Sequence, residues 1–578
     1  MDVTRFLTIA RGDEPADLLL RNGRVVNVFT GEIVEAGIAL AGDTIVGVGL
    51  EYDAKAEIDL GGRFVCPGLI DAHVHIESSM VTPHQFAQAV VPRGTTTVVT
   101  DPHEIANVAG ADGVRYLLDA SRGLPLTVFL NLPSCVPATH MATAGAELTA
   151  EDLKELANLP RVLGLAEFMN VPGLVLGDPE PLAKIRAFED RVIDGHSPGV
   201  SGKWLQAYAG AGPGSDHECT TAEEMAEKLR LGMRVFVREG TGAKNLRALV
   251  PGVTPENSRR CAFCTDDRHP ADLLDEGHVD YLIRLAVAEG LDPIRAIRMA
   301  TLNAAEWFRL RDRGAIAPGK RADLVVFSDP EDLHAEMVFA GGRLAAQNGE
   351  LAAGWPEPTL DVPSVRGTVN VDWSELGFTI PAPAGSAGEV KARVIGLVGD
   401  QIVTKHLVEQ VPVRDGEAVP DLARDILKLA VIERHRGTGN VGLGFVQGLG
   451  LKRGALAGSV GHDAHNLVVA GCDDASMMTA ARAVGQLGGG LVAAVGGQVL
   501  AEVPLPIAGL MSDRSLQTVR RQMDELVSAA QDLGSDLRDP LMILGFLALE
   551  VIPSLKLTDQ GLVDVDQFDF VPLFVVEG

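Results

Sequence analysis

Two histidines two residues apart, His73 and His75, end the apolar run Cys66-Pro67-Gly68-Leu69-Ile70-Asp71-Ala72. On a strand, residues two apart share a face, so the pair would offer two imidazoles to one metal ion. Alone, such a pair is more often two hydrogen-bonded core histidines, and the decision rests on what other strand ends carry. Val98-Val99-Thr100 runs into Asp101-Pro102-His103-Glu104, and Leu163-Gly164-Leu165-Ala166 into Glu167. Val192-Ile193-Asp194-Gly195 runs into His196, and a Gly- and Ala-rich stretch leads to Ser215-Asp216-His217-Glu218. Cys261-Ala262-Phe263-Cys264-Thr265 is followed by Asp266-Asp267-Arg268-His269. A single carboxylate after a strand is commonly a helix cap. A whole series of such ends, drawing His73, His75, His196 and His217 from only 14 histidines, is not explained that way. Imidazole and carboxylate without thiolate suit Zn, Mn or Fe. The set is more than one ion needs, whereas two ions bridged by Glu167 would use all of it.

Strand ends meet at one face only if the strands share a parallel sheet. Residues 64–310 alternate apolar strands with helical patterns such as 111–121 and 221–231, the latter opened by Thr221 and Glu224 in capping-box spacing. About eight such units predict an α/β fold, a (β/α)8 barrel with its chemistry at the C-terminal strand ends; an open doubly wound sheet is the alternative. Residues 1–63 and 311–355 read as short strands with turns at Asn22-Gly23 and Gly42-Asp43, and predict a β-sandwich built from both flanks. Proline-rich residues 356–389 read as a linker, and 390–578 as a further C-terminal α/β domain with helices expected at 422–435, 477–486 and 515–531.

The 578 residues carry a formal net charge of −28 and are 46% hydrophobic. That composition buries large cores and argues against a nucleic-acid partner, which calls for clustered Lys and Arg. Six scattered cysteines point to reduced thiols rather than a disulfide framework. The opening residues lack the basic start and apolar core of a signal peptide. The longest uncharged stretch, 483–501, is too rich in Gly to be a spanning helix. A cytoplasmic protein without a membrane partner is expected.

The motif Pro67-Gly68-Leu69-Ile70-Asp71-Ala72-His73-Val74-His75 resembles the signature of the amidohydrolase superfamily. Within it, the chain resembles the adenine deaminase family through His73 to Met80, Asp101-Pro102-His103-Glu104-Ile105, Glu167-Phe168-Met169-Asn170, Gly195-His196-Ser197-Pro198-Gly199, Cys264 to Pro270 and Gly458 to Asn466. The resemblance covers nearly the whole length. It implies that His73, His75 and Asp266 hold one metal ion, that His196 and His217 hold a second, and that Glu167 bridges them where many relatives use a carboxylated lysine. It implies two divalent ions, Mn or Fe with Zn as a further option, and a hydroxide between them that attacks C6 of a purine and releases ammonia, in purine salvage. Asp266 would move the proton, and His103 or a protonated Glu77 would face the ring nitrogen. Glu77, Ser78, Ser79 and Asp267 would contact the substrate, and a homodimer is implied by the same resemblance. Alternatives are hydrolysis of an N6-substituted adenine or another cyclic amidine or amide, and a non-catalytic purine-binding relative.

Three other patterns compete. His75-x-Glu77 with Cys261-x-x-Cys264 imitates the zinc nucleobase deaminase signature, but nearly two hundred residues separate its halves. Gly437-Thr438-Gly439-Asn440-Val441-Gly442 matches a dinucleotide fingerprint without a clear strand before it. His462, Asp463 and His465 read either as a turn bonding its own backbone or as a group closing the site from the C-terminal domain.

Overall fold

The parallel strands come from β-branched, doubly buried segments, of which Thr95–Thr100, buried at every position, is typical. In the computed structural model, which describes residues 2–356, 362–386, 388–399 and 401–575, the middle of the chain lays out strands Leu69–His75, Thr95–Thr100, Thr127–Leu132, Val162–Phe168, Val192–Gly195, Ser215–Asp216, Arg234–Arg238 and Cys261–Cys264. The first five pair in sequence as one parallel ladder, and the last three as another. The ring closes at two seams. Ser215 Oγ donates to Asp194 Oδ1 at 2.6 Å between the fifth and sixth strands. Beyond the eighth, Asp266 and Asp267 pair with Val74 and His75 of the first.

Local signals place the intervening helices. Thr221 caps Ala222–Arg230 by accepting the N–H of Glu224 at 3.2 Å; the Glu224 carboxylate accepts from Thr220 rather than from Thr221. Helix His103–Ala120 contains most of the expected 111–121 segment but starts eight residues earlier, at the mouth of the barrel, and bends at Gly110, whose φ of 57° suits glycine.

Both flanks contribute to one sheet of nine strands. Phe64–Pro67 lies between Leu18–Asn27 on one side and Leu324–Phe327 on the other, with Val65 opposite Val326. Leu20, Val25, Ile38 and Ile45 share a core with Leu324, Val326, Met337 and Phe339. Residues 357–361 and 387 of the expected linker lie outside the described residues; within the rest of it, Phe378 and Ile380 are buried against the C-terminal region.

The C-terminal region forms a second sheet of nine strands backed by helices Asp474–Leu487 and Leu516–Asp532. The helix expected over 422–435 is instead the strand Ile426–Ile432, paired on both sides to Val441–Gln447 and Leu467–Gly471. Its seven residues are all buried, and an apolar run broken only by Lys428 has no period to separate a central strand from a buried helix. The glycine-rich loop 437–442 therefore does follow a strand, but it leads into another strand and folds around Glu433, whose carboxylate accepts the N–H groups of His435, Arg436 and Thr438.

This region docks on the mouth of the barrel through a polar seam. Thr139 donates to Glu550 at 2.7 Å, Thr143 donates twice to Asp559, His269 meets Asp539 at 3.0 Å, and the Ser512 N–H donates to the Met80 carbonyl at 2.8 Å. No helix among the described residues is long and apolar enough to cross a membrane.

Candidate metal centre and its cavity

Alternation along the first strand turns His73 and His75 to one side, with their Nε2 atoms 3.1 Å apart. Asp71, between the first and eighth strands, sets that strand end. Its Oδ1 accepts the N–H groups of His73 and Thr265, and its Oδ2 lies 3.0 Å from His278 Nε2. Asp266 sits at φ 57°, a left-handed turn that Asp tolerates, and this points Oδ1 at His75 Nε2 (3.0 Å) and His73 Nε2 (3.4 Å). Glu167 at the end of the fourth strand divides its oxygens. Oε1 is 3.3 Å from His75 and 3.6 Å from His73, while Oε2 is 2.6 Å from His196 Nδ1 and 3.2 Å from His217 Nε2.

His73, His75 and Asp266 thus form one group with ligand atoms inside 4.8 Å of one another, and His73, Glu167 and His217 form another. Lone-pair atoms converging on shared points in a buried setting are what cations bind. One carboxylate split between two such groups suits a bridge. The donor set fits two ions.

Arg238 and Glu218 complete this wall, and neither was assigned a role from sequence. The Arg238 guanidinium forms a bidentate pair with Glu218 and donates to Asp266 Oδ2 at 2.6 Å. Burial alone would raise the Asp266 carboxyl, but Arg238 and the hydrogen bonds from His73 and His75 outweigh it and hold the group well below the usual carboxylate range. Glu218 also joins His196 and His217 in a ligand group. The available signal was positional: Arg238 ends the apolar strand Arg234–Arg238, as the histidines end theirs.

His103 opens its helix, with Asp101 Oδ1 accepting its N–H at 3.1 Å. Its ring Nδ1 lies 3.2 Å from Asp101 Oδ2, yet misaligned, so neither atom makes a hydrogen bond. Glu77 Oε1 accepts the Ile105 N–H at 3.2 Å, its Oε2 is buried without a partner, and burial pushes the carboxyl up to about 7. Ser78 donates to Asp267 at the cavity edge. Ser79, expected at the substrate, is turned away. Its hydroxyl donates to the Ile76 carbonyl inside the 3-10 turn Ile76–Ser79, the usual local competition of a serine for its own backbone.

Above the ligands opens a cleft of about 580 Å³, counting its mouth. Barrel residues line one side; Met542, Phe546, Leu549 and Ile552, with His462 and Asp463, line the other. A second cavity of about 350 Å³ adjoins it, lined by Glu77, Ser78, His269 and His465, and shares Glu104, Asp267, His462 and Met542 with the first.

Residues 64–349 match the amidohydrolase family, and residues 401–569 match the adenine deaminase C-terminal domain. The adenine deaminase of Desulfatibacillum aliphaticivorans is 54% identical over 99% of both chains. Adenine deaminase 2 of Carboxydothermus hydrogenoformans is 51% identical over 98% of this chain and 99% of its own, and the adenine deaminase of Brucella suis is 49% identical over 97% and 95%. A solved adenine deaminase structure aligns with 57% of this chain and 100% of its own, at 19% identity and a TM-score of 0.44. Half of all positions shared along the full length of these relatives makes this chain a member of the adenine deaminase family of amidohydrolases.

Proposed function

We propose that the protein hydrolyses adenine to hypoxanthine and ammonia, as the names of its relatives indicate for them. The carrying observation is the convergence of His73, His75, Glu167, His196, His217 and Asp266 at one barrel mouth. Amidohydrolases are in general metal-dependent. Here His73, His75 and Asp266 would hold one divalent ion, His196 and His217 a second, with Glu167 shared; Mn or Fe are favoured, with Zn also suited to the donors. Bound ions would supply Lewis acidity that makes water a nucleophile at neutral pH.

The chain's own groups do the rest. Asp266, kept ionised by Arg238, takes a proton from the attacking water at Oδ1 and returns it to the departing amino group. His103 or a protonated Glu77 donates to a ring nitrogen as it gains charge. Met542, Phe546 and Leu549 cover the base and exclude water. The six cysteines are free thiols, in keeping with a reducing, cytoplasmic setting, and we place the enzyme there as a homodimer in purine salvage, acting on a small purine with no nucleic-acid or membrane partner. The division at 1–63, 64–310, 311–355, 356–389 and 390–578 belongs to the same proposal.

The test is ammonia release from adenine by Mn-loaded protein, with N6-methyladenine and cyclic amides alongside and metal content measured on the same sample. Turnover of adenine with two ions per chain supports the reading. Turnover of N6-methyladenine alone, tight purine binding without turnover, or full activity with one ion or none would overturn it.

A further inference from the structure

A purine offers its protein lone pairs at N1, N3 and N7, and the cavity must answer them with donors. Its walls are rich in acceptors instead: Glu104, Glu167, Glu218, Asp266 and Asp267. Among the donors, Arg238 is committed to Glu218 and Asp266. A further donor reaches the cavity from outside the barrel. His462, in the loop between strands Ala455–Gly458 and Leu467–Gly471, lines both cavities where they join.

Two contacts fix its ring. Nδ1 lies 2.7 Å from Glu104 Oε1, and the ring face stacks on Phe546 with centroids 4.4 Å apart and planes 8° from parallel. With one edge held by the carboxylate and one face by the phenyl ring, Nε2 is the ring nitrogen left for a ligand. His465 then fixes Glu104. The Gly461 N–H donates to His465 Nδ1 at 3.3 Å, so the neutral ring carries its hydrogen on Nε2, which donates to Glu104 Oε2. A cation at that nitrogen would require an imidazolate, so Glu104, His462 and His465 hold together by hydrogen bonds, although their atoms are close enough to be ligands. Burial pulls the His462 imidazolium down, but the Glu104 carboxylate outweighs it and lifts the group to about 9, which leaves Nε2–H a charged donor at neutral pH. The loop is itself built in. The buried Arg434 donates to the His465 carbonyl, and His435 Nε2 lies 2.7 Å from the Ala464 carbonyl.

We propose that His462 of the C-terminal domain donates a hydrogen bond from Nε2 to one ring nitrogen of the bound purine, and that Glu104 and His465 are its positioning residues. This rests on the purine reading above. The test measures inhibition or binding constants of adenine and its 1-deaza, 3-deaza and 7-deaza analogues, with wild type and with His462→Phe, which keeps a ring on Phe546 and removes the donor. Losing a charge-assisted bond should weaken binding roughly 10- to 100-fold. The one analogue that lacks the paired nitrogen should bind both proteins alike. His462→Gln, which returns a donor, should recover part of the loss. His465→Gln should show the same analogue pattern with a smaller drop and a higher KM at nearly unchanged kcat. Equal weakening across all analogues, or none, overturns the proposal. Wild-type protein that neither binds nor turns over adenine overturns the purine reading instead. If His462→Phe does not fold, the analogue pattern of His465→Gln decides alone.

Discussion

The two walls of the cavity are built on opposite principles. The barrel wall is a dense array of interlocked ionisable groups: Asp71 ties the first strand to the eighth, Arg238 ties Glu218 to Asp266, and Glu167 joins two pairs of histidines. The C-terminal wall is mostly apolar side chains, with His462 and Asp463 among them and His462 tied back to Glu104 of the barrel. Charge placed on rigid strand ends performs the proton and metal chemistry, where small displacements are costly. Shape, dryness and one directed donor can be delegated to a docked domain. The separation implies that substitutions on the barrel wall strike kcat, and those on the other wall strike KM.

The sharpest break would come from Asp266→Asn, which keeps the shape and removes the base; kcat should fall roughly 100- to 10,000-fold with KM little changed, and a variant with near-normal kcat would remove Asp266 from the mechanism. Next is Phe546→Leu, for which KM should rise about tenfold, the loss of one ring stack, with kcat within about twofold; a fall in kcat alone would erase the distinction between the walls. Lys556 supports the apolar wall from behind, donating to the Phe546 and Ile402 carbonyls at 2.9 Å each. Burial depresses its ammonium from the ordinary 10.5 to about 7. Between those values the unfolded chain binds more protons than the fold, so Lys556 makes stability increase with pH across that window. Thermal melts of Lys556→Met should show a flatter profile there than wild type. Smallest is Thr221→Ala, distant from both walls, which should cost about 1 kcal/mol through the lost helix cap and leave both kcat and KM alone, as a denaturation curve with parallel kinetics would show.

The barrel side of the site was legible because its logic is periodic. A strand that alternates and stops at a fixed face announces its terminal residues, so His73, His75, Glu167, His196, His217 and Asp266 could be picked out together, and the structure brings them into adjoining groups at one barrel mouth. What was not legible depended on long-range partners. Ile426–Ile432 is apolar except for Lys428, and only its two neighbouring strands decide its conformation. Phe546 and Met542 become cavity walls only through docking. Ser79 was lost to a local competitor, the Ile76 carbonyl three residues away. His462 and His465 were visible as a cluster, but their partner Glu104 lies in the barrel, hundreds of residues earlier.

The sheet shared by the two flanks has a consequence for how the chain is made. Phe64–Pro67 precedes the first barrel strand and its partner Leu324–Phe327 follows the last. During synthesis the early strands emerge first, and the Phe64–Pro67 edge stays open until the whole barrel has been translated. An apolar strand edge left open is a template for pairing with other chains. A ribosome stalled before Leu324 therefore leaves a sticky fragment, and completion of the clasp signals that the barrel between its two halves has brought its ends together.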